Sequence, residues 1–168
     1  MDMITFNPYA LGEDDIFIEN ISGIVEHNPK TISSIMVYLS DNYKALMTLS
    51  LKKFVNNVKI TINSLEVVFY ILQTTELPQE FLDCYIYEWF KYCKTLNDDP
   101  KNQARKLKLI SKFLTHLLEK KLFDATTCYE VWINFCTEFD HFKCAKDLQK
   151  LLIDYSNHRE GNGDNLKK

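Results

Sequence analysis

Lys101, Arg105, Lys108 and Lys112 recur at intervals of four, three and four residues, with Lys106 beside them. On a helix turning about 100° per residue, that spacing lines four cations along one stripe. Such a stripe can hold the carboxylates of a partner peptide or the phosphates of RNA, and the planar guanidinium of Arg105 can pair with either through two parallel hydrogen bonds. The plainer reading is a solvated face opposite Leu107, Ile110, Leu114 and Leu117. The stripe is nevertheless the best candidate surface site that the residues offer.

A second stretch, "LPQEFLDCYIYEWFKYC" from Leu77 to Cys93, holds six aromatic rings in seventeen residues. At helical spacing Phe81, Leu82, Tyr85, Ile86, Trp89, Phe90, Tyr92 and Cys93 fall on one half of the wheel. Asp83, Tyr87, Glu88, Lys91 and Lys94 share a narrower polar arc. Aromatic stripes of this kind usually fill interiors, so the apolar half is expected to be core. Tyr87, among charges and near Lys91, is expected to be free to touch a partner. A metal set could be composed from Cys128, Cys136, His141 and Cys144, but these spacings match no compact zinc motif, and no metal is expected. His116, near the apolar side of the cationic stretch, reads as a hydrogen-bonded packing residue. The sequence contains no GxSxG, HExxH, P-loop or dinucleotide fingerprint, so no catalytic residue and no cofactor is expected.

The elements that must position these residues all read as helices. The chain has 168 residues with four glycines and four prolines, and so few breakers point to long helices with short joints. The periodicity predicts helices over Asp15 to His27, Pro29 to Ser40, Asp41 to Asn56, after Asn63, Pro78 to Leu96, Pro100 to Lys121, after Asp124, and His141 to Tyr155. Asn28 before Pro29 is a helix-start signal that Pro78 repeats at the fifth helix, "NDDP" is the clearest loop in the chain, and Asp41 reads as the cap of the third. The fold class is therefore all-α: about eight helices in antiparallel pairs, as a HEAT-like array or an irregular bundle. One domain over residues 15–155 is expected, preceded by a segment 1–14 and followed by a disordered polar tail, 156–168.

Net charge is −3 and the isoelectric point about 5.8, so no global basic field draws the chain to nucleic acid. The five cysteines are odd in number, sit among apolar residues and form no CxxC, which reads as reduced, buried thiols. No signal-peptide pattern or membrane-length apolar run occurs, so a cytoplasmic, or also nuclear, protein without membrane contact is expected.

Five short segments occur in order: "IVEHNP" (Ile24 to Pro29), "SLEVV" (Ser64 to Val68), "LPQEFLDCYI" (Leu77 to Ile86), "NQARKLKLISKFLTHLLEKKL" (Asn102 to Leu122) and "EVWINFCTEFDHFKCAKDLQKLL" (Glu130 to Leu152). Together they resemble the C-terminal domain of subunit eleven of the CCR-NOT complex, the assembly that shortens mRNA poly(A) tails. The resemblance implies an all-helical, non-catalytic subunit that works with subunit ten on the large scaffold subunit and docks adaptor proteins or peptides onto the deadenylase. The family pattern maps onto Leu77, Pro78, Glu80 and Phe81, onto Gln103 and Arg105, and onto Lys108; it is less rich in cations around Lys101, Lys106 and Lys112. Family members usually carry an N-terminal region that contacts the scaffold, so the resemblance implies a domain of a larger subunit or a short form. Direct RNA contact through the basic stripe is the alternative expectation.

Overall fold

In the computed structural model the described residues are 20–163, and they are all-α. The predicted segment 1–14, residues 15–19 of the first predicted helix and residues 164–168 of the predicted tail lie outside them. The chain divides into two compact units, one ending at Phe81 and the other beginning at Leu82.

The first unit contains α1 (Ile21–His27), α2 (Pro29–Asn42), α3 (Lys44–Asn57) and α4 (Ile62–Thr74). Asn28 starts α2 as predicted: its side chain accepts from the Thr31 N–H at 3.2 Å and Pro29 occupies the first turn, where its missing N–H leaves no bond unmade. Asp41 does not cap α3. It lies inside α2, which continues to Asn42 because the Tyr43 N–H still reaches the Leu39 carbonyl at 2.7 Å. Tyr43 then breaks the path with φ −143° and ψ 67°. The fourth helix, predicted to follow Asn63, already includes it and starts at Ile62, through a capping box in which Thr61 Oγ1 accepts from the Ser64 N–H and Ser64 Oγ from the Thr61 N–H.

The same Thr61 hydroxyl donates to Glu26 Oε1 at 2.6 Å, and Asn63 Nδ2 donates to the Glu26 carbonyl at 2.8 Å. The end of α1 is thereby tied to the start of α4 across thirty-five residues of sequence. α2 packs on α4, α3 and α1, and Val25, Ile32, Met36, Phe54, Val67 and Val68 are removed from solvent entirely. Phe81 adds its ring edge-on to Phe54 at 6.3 Å between centroids.

The second unit contains the remainder of α5 (Gln79–Lys94), then α6 (Pro100–Glu119), a 3₁₀ turn (Ala125–Thr127), α7 (Tyr129–Glu138) and α8 (Lys143–Gly163). The aromatic half of α5 is buried as its spacing predicts, with one correction: Tyr92 is 37% exposed, and the Lys106 ammonium lies 5.8 Å from its ring centroid. Stacked pairs build the core, Phe90 on Phe135 at 3.8 Å and Phe123 on Trp132 at 5.1 Å. α8 packs against both α6 and α7. It runs past the predicted end at Tyr155 to Gly163, because the polar residues after Tyr155 include no proline and extending an existing helix is far easier than nucleating one.

Two devices set α6. Asp99 caps it by accepting from the Asn102 N–H at 3.1 Å, with Pro100 in the first turn. Gln103, buried, donates both of its amide hydrogens, to the Cys93 carbonyl and to Asn97 Oδ1, each at 3.0 Å. At the other end α6 stops two residues before the predicted Lys121. Lys121 N–H reaches the Leu118 carbonyl and Leu122 N–H the Leu117 carbonyl, at 3.1 and 3.0 Å, the paired bonds of a Schellman stop. That stop needs a left-handed residue, and here a lysine holds it at φ 55°. The left-handed region costs a side chain about 1–2 kcal/mol, whereas glycine adds about 0.5–1 kcal/mol of unfolded-state entropy. Lys121→Gly is therefore expected to raise stability by about 0.5–1 kcal/mol in urea unfolding, and a lower urea midpoint would show that the stop carries no strain.

Candidate functional site

α6 presents its cations as the spacing predicts. Lys101, Arg105, Lys108 and Lys112 are all exposed, and among the described residues none of the four is ion-paired. The structure separates them into two groups. Lys108 and Lys112 form part of the wall of an open groove between α6 and α8 with a volume of about 450 Å³, while Lys101 and Arg105 continue the stripe outside its lining. From α6 the groove also receives Ser111, Thr115, His116 and Glu119; from α8 it receives Cys144, Asp147, Leu148 and Leu151. The α8 contribution is a face at helical spacing, 144, 148 and 151, with Asp147 on its edge.

The charges run in order along the α6 wall. Lys108 and Lys112 come first and Glu119 last, about 16 Å beyond Lys108 and about 10 Å beyond Lys112 at 1.5 Å per residue. Ser111 sits between the two lysines on the groove floor. It is 5% exposed, and its hydroxyl has no hydrogen-bond partner. Leu148 is buried and Leu151 half-buried, so the opposite wall is aliphatic beside the Asp147 carboxylate. This arrangement can take apolar side chains against α8 and an acidic group against α6.

Tyr87 and Lys91 are brought together on α5, outside the groove. Tyr87 is 54% exposed with the Lys91 ammonium 5.7 Å from its ring centroid. Lys91 is also hydrogen-bonded to Glu88 at 2.9 Å, and that bond, with the attraction of the carboxylate, raises the lysine pKa above its ordinary value. Its charge is thus partly spoken for within its own helix.

Two sequence expectations need correction. His116 is exposed on the groove wall, with Nδ1 3.9 Å from Glu119 Oε2, not packed on the apolar face. It lies one helical step from the buried Leu117, and that step carries it over the edge of the face. Gln103, which the resemblance maps beside Arg105, is a buried joint residue, whereas Arg105 is exposed. The thiols are not uniformly buried: Cys93 and Cys136 are, Cys128 and Cys144 are half-buried, and Cys84 is exposed. All five are free, and among the described residues no three His, Cys, Asp or Glu side chains gather to hold a metal ion. No helix among them is long and apolar enough to cross a membrane.

Serine and threonine at 111 and 115, four apart on the margin of an apolar helix face, were the sequence signal for the groove floor. Its α8 wall could not be assigned without knowing that α8 packs on α6. What fold and site together define is an all-α protein with an exposed cationic helix and a peptide-sized interhelical groove. The family model for CCR4-NOT transcription complex subunit 11 matches residues 25–153, most of the chain, and the chain belongs to that family. It is accordingly a CCR4-NOT complex subunit, associated with other subunits of that complex.

Burial pushes the Cys93 and Cys136 thiols up from 9.0 to about 12. Between those values the folded protein keeps protons that the unfolded chain releases, so stability present below pH 9 is lost as pH rises toward 12. Urea midpoints measured across this window are expected to fall, and to fall less steeply in the Cys93→Ala/Cys136→Ala variant. Identical slopes would remove the two thiols as the cause.

Proposed function

We propose that this subunit is a non-catalytic docking element of the CCR4-NOT complex, which brings partner proteins to the deadenylase and so promotes poly(A)-tail shortening, mRNA decay and translational repression. The observation that carries the reading is the groove between α6 and α8, where the aliphatic Leu148 and Leu151 face unpaired lysines at 108 and 112. A groove of this form fits a short segment of another protein, with apolar anchors buried and charges paired at the rim. Subunit ten and the large scaffold subunit are the proposed partners within the complex, and recruited adaptor proteins the partners outside it. The groove also carries the carboxylates of Glu119 and Asp147, and these oppose a polyphosphate strand, which favours protein over RNA as the occupant.

Two measurements test the proposal. Affinity purification of the tagged full chain with mass spectrometry is expected to recover deadenylase subunits together with proteins from outside the complex. Incubated alone with poly(A) RNA, the chain is expected to release no nucleotide. Recovery of no deadenylase subunit, or shortening of the RNA by the purified chain, would contradict it.

A further inference from the structure

Among the described residues of the second unit two buried side-chain polar groups lack a hydrogen-bond partner, the Trp89 indole N–H and the Ser111 hydroxyl, and the second of them lies on the groove. Within a helix a serine ordinarily turns its hydroxyl back to the carbonyl four residues earlier, as Ser33 does to Pro29 at 2.8 Å and Thr137 to Ile133 at 2.9 Å. Ser111 has no such bond, although it is 95% withdrawn from solvent by its 5% exposure. An unpaired buried hydroxyl disfavours the folded state and is recovered when an acceptor arrives. The residue stands on the floor of the α6/α8 groove, three positions after Lys108 and one before Lys112. Two cations and a hydroxyl donor thus converge on one turn of helix. The only chemistry that satisfies all three is an anionic oxygen acceptor.

The remaining lining narrows the class. Leu148 and Leu151 across the groove require aliphatic neighbours beside that acceptor, and Asp147 and Glu119 penalise any ligand carrying several negative charges. We infer that the groove selects a peptide with a single acidic side chain flanked by aliphatic residues, its carboxylate held between Lys108 and Lys112 and accepting from the Ser111 hydroxyl. Ser111 Oγ is buried in the free protein, so side chains at the groove shift as the carboxylate enters, an adjustment of rotamers and not of backbone. Glu119, at the far end of the same wall, favours a basic residue about 12–14 Å away from the acidic one, so the peptide has a defined direction. This rests on the docking role proposed above and names the chemistry of its ligand.

The test is a dodecapeptide array probed with the full chain, followed by fluorescence anisotropy on the best fluorescein-labelled binder. Enrichment of one Asp or Glu beside Leu or Ile is expected. Lys108→Glu and Lys112→Glu are each expected to weaken that binder by about tenfold, and replacing the peptide's acidic residue by Lys is expected to restore binding to the variants. Ser111→Ala separates recognition from folding: it is expected to weaken binding by about fivefold while leaving the urea midpoint unchanged or higher, because the hydroxyl it removes has no partner in the free protein. An array without acidic enrichment, binding indifferent to the three substitutions, or displacement of the peptide by a poly(A) dodecamer at physiological salt would overturn the inference. Recovery of adaptors in the purification experiment together with any of these results would leave the docking role standing and remove the groove from it.

Discussion

The Gln103 carboxamide sits at the turn between α5 and α6 and uses both of its hydrogens, one on the Cys93 carbonyl and one on Asn97. Those bonds fix the rotational setting of α6 about its own axis, and the surface depends on that setting. Leu107, Ile110, Leu114 and Leu117 reach the core only in this rotation, and the same rotation turns Lys108, Ser111 and Lys112 toward α8. A helix rotated by one residue, 100° further round, would bury a lysine in place of a leucine. The groove therefore follows from a rotation that the buried apolar face of α6 and the satisfied Gln103 amide set together.

The same economy governs the other joints. α2, α4, α6 and the 3₁₀ turn begin on side-chain oxygens: Asn28, Thr61, Asp99 and Asp124 each accept from a backbone N–H. Where a left-handed residue is unavoidable, after α6, a lysine adopts it. The segments that carry the family resemblance coincide with these joints. Glu26, from "IVEHNP", meets Thr61 and Asn63 just ahead of "SLEVV", and Gln103, from "NQARK", closes the α5–α6 turn. In the last segment Gln149 of α8 donates to Thr137 of α7 at 3.2 Å. What resembles the family is in large part the hydrogen-bonded framework that sets the helices.

Local chemistry explains what could be read in advance and what could not. The start at Asn28–Pro29 was legible because a cap and a proline act within a single turn, and the start at Pro100 because the loop signal "NDDP" is equally local, although the capping role of Asp99 emerged only from the structure. The buried half of α5 was legible because its period is intrinsic to the helix. Asp41 misled because a capping residue is indistinguishable from an ordinary helical aspartate until the backbone path is known. Tyr92 and His116 lie at the margins of their apolar faces, where the presence or absence of a neighbouring helix decides exposure. The groove itself is a property of two helices separated by more than twenty residues of chain, so the sequence supplied Lys108 and Lys112 without the aliphatic wall that gives them a ligand class.

Docking through the α6/α8 groove makes a geometric claim about which lysines of this subunit meet carboxylates of other proteins inside the assembled complex. Zero-length carbodiimide cross-linking of the intact CCR4-NOT complex with its recruited proteins, read by mass spectrometry, measures that directly, since it joins only amines and carboxylates already in contact. The account predicts amide cross-links from Lys108 or Lys112 to Asp or Glu side chains of recruited proteins. Cross-links to those proteins confined to other lysines, such as Lys52, Lys53 or Lys91, with Lys108 and Lys112 unlinked, would contradict it.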